Sequence, residues 1–171
     1  MGFNYFGNAS RAKSQGVELS LESRPLRGLT LSAWAAWNEA VLTQGFPASD
    51  AAYAVAGSRL PYGSRFSGNV AANDEFPLVA GLTGFVGSSV SYVGERWGVF
   101  TNAPQRQNLP AYAKTDLRAG INYDSWTISL FANNVADKRG VVSGGLGTAP
   151  NQSAFVFIQP RTLGLNVAKT F

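Results

Sequence analysis

Seven stretches of this sequence alternate apolar and polar residues with a period of two, at 15–23, 29–38, 65–73, 80–93, 112–122, 126–133 and 162–171. Period two belongs to an extended strand whose two faces meet different surroundings. The chain is thereby restricted to an all-β architecture of antiparallel strands. The connectors constrain it further, because they alternate short and long. The short ones lie at 24–28, 74–78 and 122–125, and the long ones at 39–64, 94–110 and 135–158. Pro25, Gly28, Pro77 and Asp124 mark the short connectors as tight turns. An up-and-down meander with this rhythm puts every long connection at one end and every tight turn at the other.

A soluble sandwich and a transmembrane barrel both satisfy the alternation. Three features favour the barrel. All long loops fall on one side, as in outer-membrane barrels with short periplasmic turns. Aromatic residues sit at strand ends: Tyr123, Trp126 and Phe171 at the turn end, Trp37, Phe66 and Tyr92 at the loop end. Such belts belong at membrane interfaces. Finally, small residues such as Gly68 and Gly84 stand on the apolar face, where they would pack a soluble core poorly. The last stretch carries the same signal. Leu163, Leu165, Val167 and Phe171 share one face with the single polar intruder Lys169, and the sequence stops on the aromatic Phe171.

Composition narrows the chemistry. Charged residues are 14% of the 171, well below the roughly 25% of a soluble domain. Mean hydropathy is −0.04, and no run of the sequence approaches the ~18 apolar residues of a spanning helix. There is no Cys and no His, which removes disulfides, zinc sites, thiol nucleophiles and His-based triads. The net charge of +4 is spread along the chain, so nucleic acid is not an expected partner. No carboxylate pair supports acid–base catalysis, and neither an enzymatic activity nor a cofactor or metal is expected. Met1 is not followed by a basic segment and an apolar core, so no signal peptide is read.

Particular residues resemble those of TonB-dependent receptors. Ser14-Gln-Gly-Val-Glu-Leu19 with Arg24-Pro-Leu-Arg-Gly-Leu29 is similar to a hairpin of that family. Gly57-Ser-Arg-Leu-Pro61, Thr115-Asp-Leu-Arg-Ala-Gly120, Trp126, Leu130-Phe-Ala-Asn-Asn134 and Asp137-Lys138 follow in the family's order. Gln159-Pro-Arg-Thr-Leu-Gly-Leu165 resembles the start of its final strand. The siderophore-receptor branch is the nearest in flavour. The resemblance implies that 1–171 is the C-terminal part of a 22-stranded barrel in the Gram-negative outer membrane, with the plug domain and TonB box outside this chain. It further implies uptake of a ferric siderophore or similar chelate, energised through the TonB complex. The barrel-assembly machinery would recognise the terminal Phe171, but the family usually has an aromatic residue where Lys169 stands. That departure predicts weaker recognition. Lys169→Tyr is expected to speed assembly of the full receptor into the outer membrane, and an unchanged rate would count against it.

Ligand contacts are expected from the long loops, where Tyr53, Arg59, Arg96, Trp97, Phe100 and Arg106 are the candidates. Arginine binds anionic chelates bidentately and aromatic rings stack on flat ligands. The bland reading is that these side chains pack the loops together. Lys114, Asp116 and Arg118 form a ladder on the polar, lumen-facing side, either touching a plug or balancing one another in a solvated wall. Asp124 and Asp137 fit turn chemistry. Two other architectures stay open: a self-contained eight-stranded outer-membrane barrel of structural or adhesive role, with 2–8 as its eighth strand, and a soluble carbohydrate-binding sandwich.

Overall fold

The computed structural model describes residues 10–46, 53–100, 106–146 and 153–171. Its strands are β1 (Ala12–Leu26), β2 (Leu29–Leu42), β3 (Phe66–Val79), β4 (Leu82–Val93), β5 (Arg96–Trp97), β6 (Asn108–Leu109), β7 (Tyr112–Tyr123), β8 (Trp126–Asn133), β9 (Val141–Leu146), β10 (Ser153–Phe157) and β11 (Thr162–Lys169). Seven of them form one antiparallel sheet in the order β1-β2-β3-β4-β7-β8-β11, a meander in which each strand pairs with its predecessor. The sheet is open among the described residues, with β1 and β11 at its edges. The eighth strand expected at 2–8 lies outside the described residues.

Register assembles the apolar residues into continuous cross-strand rows. Leu21 faces Ala33, Ala33 faces Val70, and Val70 faces Val90. Further along, Ala119 faces Leu130, and Leu130 faces Leu165. A slip of one residue in any pair would turn its apolar set to the other face. Both aromatic belts come out as cross-strand neighbours. Trp37 is opposite Phe66 at the loop end, and Tyr123 is opposite Trp126 at the turn end. The intervening face carries polar partners instead: Asn69 Nδ2 donates to Ser91 Oγ at 2.8 Å, and Arg118 donates to Asn73 Oδ1 at 2.7 Å.

The apolar face has no cover. Only Leu42, Ala54 and Leu109 are buried hydrophobic residues among the described ones, whereas Leu19 is 70% exposed and Leu163 73%. A sandwich requires a second sheet over this face, and among the described residues there is none. The soluble-sandwich alternative is thereby set aside. A bare apolar surface of this extent is what a lipid-facing wall presents.

Two expectations about connectors need correction. The segment Asp74 to Leu78 is not a turn: β3 runs on to Val79, and the reversal falls at Ala80 and Gly81, where Gly81 takes φ +80°. Nor are the long connections featureless. The 94–110 connection contains the paired strands β5 and β6, and the 135–158 connection the paired strands β9 and β10.

Several glycines lie under aromatic rings. A Cβ at Gly164 would enter the Phe131 ring, one at Gly120 the Phe85 ring and one at Gly140 the Tyr112 ring. The rings replace the packing that a strand glycine gives up.

Candidate functional site

The three long connections converge at one end of the sheet, and arginines tie them together. Arg106 donates through Nε to the Gly98 carbonyl and through Nη1 to the Arg59 carbonyl, both at 2.9 Å. Its guanidinium lies 4.6 Å from the Phe100 ring centre, and Phe100 in turn leans on Phe46 at 5.4 Å. Burial, with the neighbouring Arg59 charge, pulls the Arg106 pKa below its ordinary value. Arg96, only 7% exposed, donates to the carbonyls of Val141 and Val142 in β9 and stacks 5.5 Å from the Tyr112 ring centre. Among the described residues the Arg59 side chain reaches only the Gly63 carbonyl, at 3.5 Å. Trp97 contributes its backbone carbonyl to the amide of Tyr62 at 2.8 Å.

Arg59, Phe100 and Arg106 therefore form one cluster, with Arg96 and Trp97 beside it on the β5–β6 hairpin. Tyr53 is exposed, and no hydrogen bond or ring contact links it to the others among the described residues. Much of the arginine capacity is spent on backbone carbonyls. What is left unpaired in the buried part, among the described residues, is Arg96 Nε, Arg106 Nη2 and both amide atoms of Gln107. Gln107 and Tyr62 escaped the sequence reading. Tyr62 takes φ 60° and its hydroxyl donates to the Gly144 carbonyl at 3.1 Å, bridging the first and third connections.

Arg96 is the pivot of this arrangement, since its removal would strand two carbonyls and empty a buried volume. Arg96→Ala is expected to accelerate protease cleavage within 134–161 at least severalfold while leaving the strand sheet intact. Arg96→Lys should restore little, because an ammonium cannot span both carbonyls and the ring. Limited proteolysis of the folded receptor reads both.

A second cluster secures the top of β8. Asn134, 1% exposed, takes φ 52° and uses its whole side chain. Its amide nitrogen donates to the carbonyls of Lys138 and Gln159, and its carbonyl oxygen accepts from the Lys138 amide, each at 2.9 Å. Its backbone N–H donates to Asp116 Oδ1 at 2.8 Å, and Asp116 Oδ2 also holds Lys114 at 2.8 Å. Asp137 accepts from the Arg161 amide at 2.9 Å and pairs with Arg139 at 3.1 Å. The Arg161 hydrogen bond is the main cause that lowers the Asp137 pKa. Asp116 thus anchors a turn in addition to pairing with Lys114 on the polar face, while Arg118 lies further along that face against Asn73 and the Phe85 ring.

The pattern of a seven-stranded meander, loops gathered at one end and an uncovered apolar face matches a known family. Residues 1–135 match the family model "TonB dependent receptor-like, beta-barrel". This chain belongs to that family. Among solved structures it is similar to the ferric yersiniabactin uptake receptor FyuA from Yersinia pestis, at 20% identity and TM-score 0.74, over 94% of this chain and 24% of that one. It is also similar to the siderophore receptor PiuA from Acinetobacter baumannii, at 19% identity and TM-score 0.67, over 91% of this chain and 21% of that one. At these identities the likeness shows the fold. The chain spans about a quarter of the length of these receptors. The family is one of outer-membrane transport receptors, not of enzymes.

Lys169 lies on the apolar face opposite Trp126, with Nζ 5.1 Å from the Trp126 ring centre and 5.0 Å from that of Phe171. The cation is held between two rings, which keeps its stem on the apolar face and its charge at the interface. Phe171 itself is fully exposed.

Proposed function

We propose that residues 1–171 form the C-terminal part of the barrel domain of an outer-membrane receptor for a ferric siderophore, energised through TonB. The observation that carries the reading is the loop cluster, where Arg59, Arg96 and Arg106 gather beside Trp97 and Phe100 above a siderophore-receptor type of sheet. Positive charge with aromatic surface suits an anionic, partly aromatic chelate. The lumen-facing Lys114, Asp116 and Arg118 would then line the side that meets a plug supplied by the rest of the receptor. Lipid would cover the apolar face, and the barrel-assembly machinery would take Phe171 as its signal.

The test is uptake of radiolabelled iron chelates by iron-starved cells lacking the full-length gene. Loss of uptake of one ferric siderophore, its return on complementation and its abolition by a protonophore are the expected results. Unchanged uptake of every ferric chelate, or loss of uptake of an iron-free ligand instead, would overturn the siderophore assignment. Probing outer-membrane extracts with an antibody to 112–134 adds a check on architecture. A species several-fold heavier than 18.1 kDa is expected, and one near that mass would favour a small independent barrel.

A further inference from the structure

The apolar face is not smooth. Ala72, Ala119 and Ala132 lie among the larger Leu29, Leu130 and Leu163 and leave a furrow of about 840 Å³. It crosses the sheet from β2 to β11, five strand steps, or about 24 Å at ~4.8 Å per step. With barrel strands tilted by roughly 40°, such a line changes height by about 15 Å. That is close to one leaflet of a hydrocarbon core about 30 Å thick.

The furrow has a charged end. Asp74 lines it, sitting opposite Leu29 on β2 and Val86 on β4. Its carboxylate has no hydrogen-bond or ion-pair partner among the described residues. It stands beside the β1–β2 turn, where the Glu75 amide donates to the Gly28 carbonyl at 3.0 Å. This is the turn end of the sheet, and from there the furrow runs toward the loop end of β11. A lipid lying in it would place its headgroup at Asp74 and its chain among the alanines. An unpaired carboxylate at that position attracts a hydrogen-bonding cation and disfavours a headgroup of net negative charge.

We propose that the furrow and Asp74 form a seat for a phospholipid whose headgroup ends in a primary ammonium. The proposal rests on the reading of this face as lipid-facing. It adds a headgroup preference at one place on the wall, which a uniform greasy surface would not have.

The test uses the full-length receptor in detergent, exchanged against equal amounts of phosphatidylethanolamine, phosphatidylglycerol and phosphatidylcholine and weighed by native mass spectrometry. Phosphatidylethanolamine should be retained over both others. Asp74→Asn should reduce that preference about tenfold, the scale of one hydrogen bond to a charged group. Ala119→Phe, which fills the furrow, should lower retention of all three while heat-modifiable migration shows the barrel still folded. Retention without headgroup preference, or a preference that survives Asp74→Asn, would overturn the seat but leave the lipid-facing wall standing. A receptor monodisperse without detergent, or a protein partner on this face in place of lipid, would overturn both.

Discussion

Asn134→Ala is expected to cost the folded barrel about 3 kcal/mol. The carbonyls of Lys138 and Gln159 lose their donor, and the Lys138 amide loses its acceptor. Both residues are exposed, so each lost hydrogen bond costs only about 0.5–1.5 kcal/mol. Asn134 also holds a left-handed backbone, which asparagine tolerates better than alanine, adding a fraction of the ~1–2 kcal/mol penalty. Urea unfolding of the full receptor refolded into vesicles measures the loss. Asn133→Ala, one residue away with no side-chain hydrogen bond among the described residues, should stay within about 0.5 kcal/mol. Equal effects from the two substitutions would show that the clamp at the top of β8 contributes nothing of its own.

The second large effect is expected at Gly28. This residue closes the β1–β2 turn with φ +88°, and a Cβ there would collide with the Glu75 carbonyl oxygen on β3. Gly28→Ala must therefore accept the left-handed strain, ~1–2 kcal/mol, and also push β3 away, weakening the bond from the Glu75 amide to the Gly28 carbonyl at ~1 kcal/mol more. A total near 3 kcal/mol follows. Gly57 supplies the comparison. Its φ is +86°, but a Cβ there would meet no atom within 4 Å, so Gly57→Ala should cost only the strain. The same urea midpoints report both, and a Gly28 cost no larger than that at Gly57 would remove the collision from the account.

The sheet was legible because one physical rule governs nearly every residue in it. Cross-strand pairing forces alternation, and an uncovered apolar face forces each alternate residue to be apolar or small. So Leu29, Leu31, Ala33, Ala35 and Trp37 could be put on one side from spacing alone. Where the rule relaxes, the reading erred. Asp74 and Pro77 resemble turn residues, yet β2 ends opposite Asp74, so beyond it one edge of β3 is free. A proline that owes no hydrogen bond on that side can stay in a strand, and Pro77 pairs with Thr83 on the other. The β5–β6 hairpin has two residues per strand, too few for any period to show.

The loop arginines were legible as residues and illegible as contacts. Arg106 bonds to a carbonyl 47 positions away and Arg96 to one 46 away. Backbone acceptors carry no residue-type signature, so nothing in the sequence marks them. Asn134 and Asp137 stood out through their resemblance to a family stretch. Turn chemistry explained Asp124 and Asp137, both of which adopt positive φ. The fixing of Gln159 and Arg161 by that turn, which sets where β11 begins, needed the coordinates.

Each strand of the main sheet hydrogen-bonds to the main-sheet strand that precedes it. The kinetic consequence is a hierarchy of two speeds. The β1–β2, β3–β4 and β7–β8 pairs close across tight turns and form fast, whereas β2–β3, β4–β7 and β8–β11 must each wait for a long connection to close. The sheet can grow one hairpin at a time from any pair already formed, each new strand templated by the free edge of the last. Errors in such growth propagate, since a slipped register is copied to every later strand. Gly28 and the Asn134 clamp sit where a strand is about to begin, the points at which the next register is chosen.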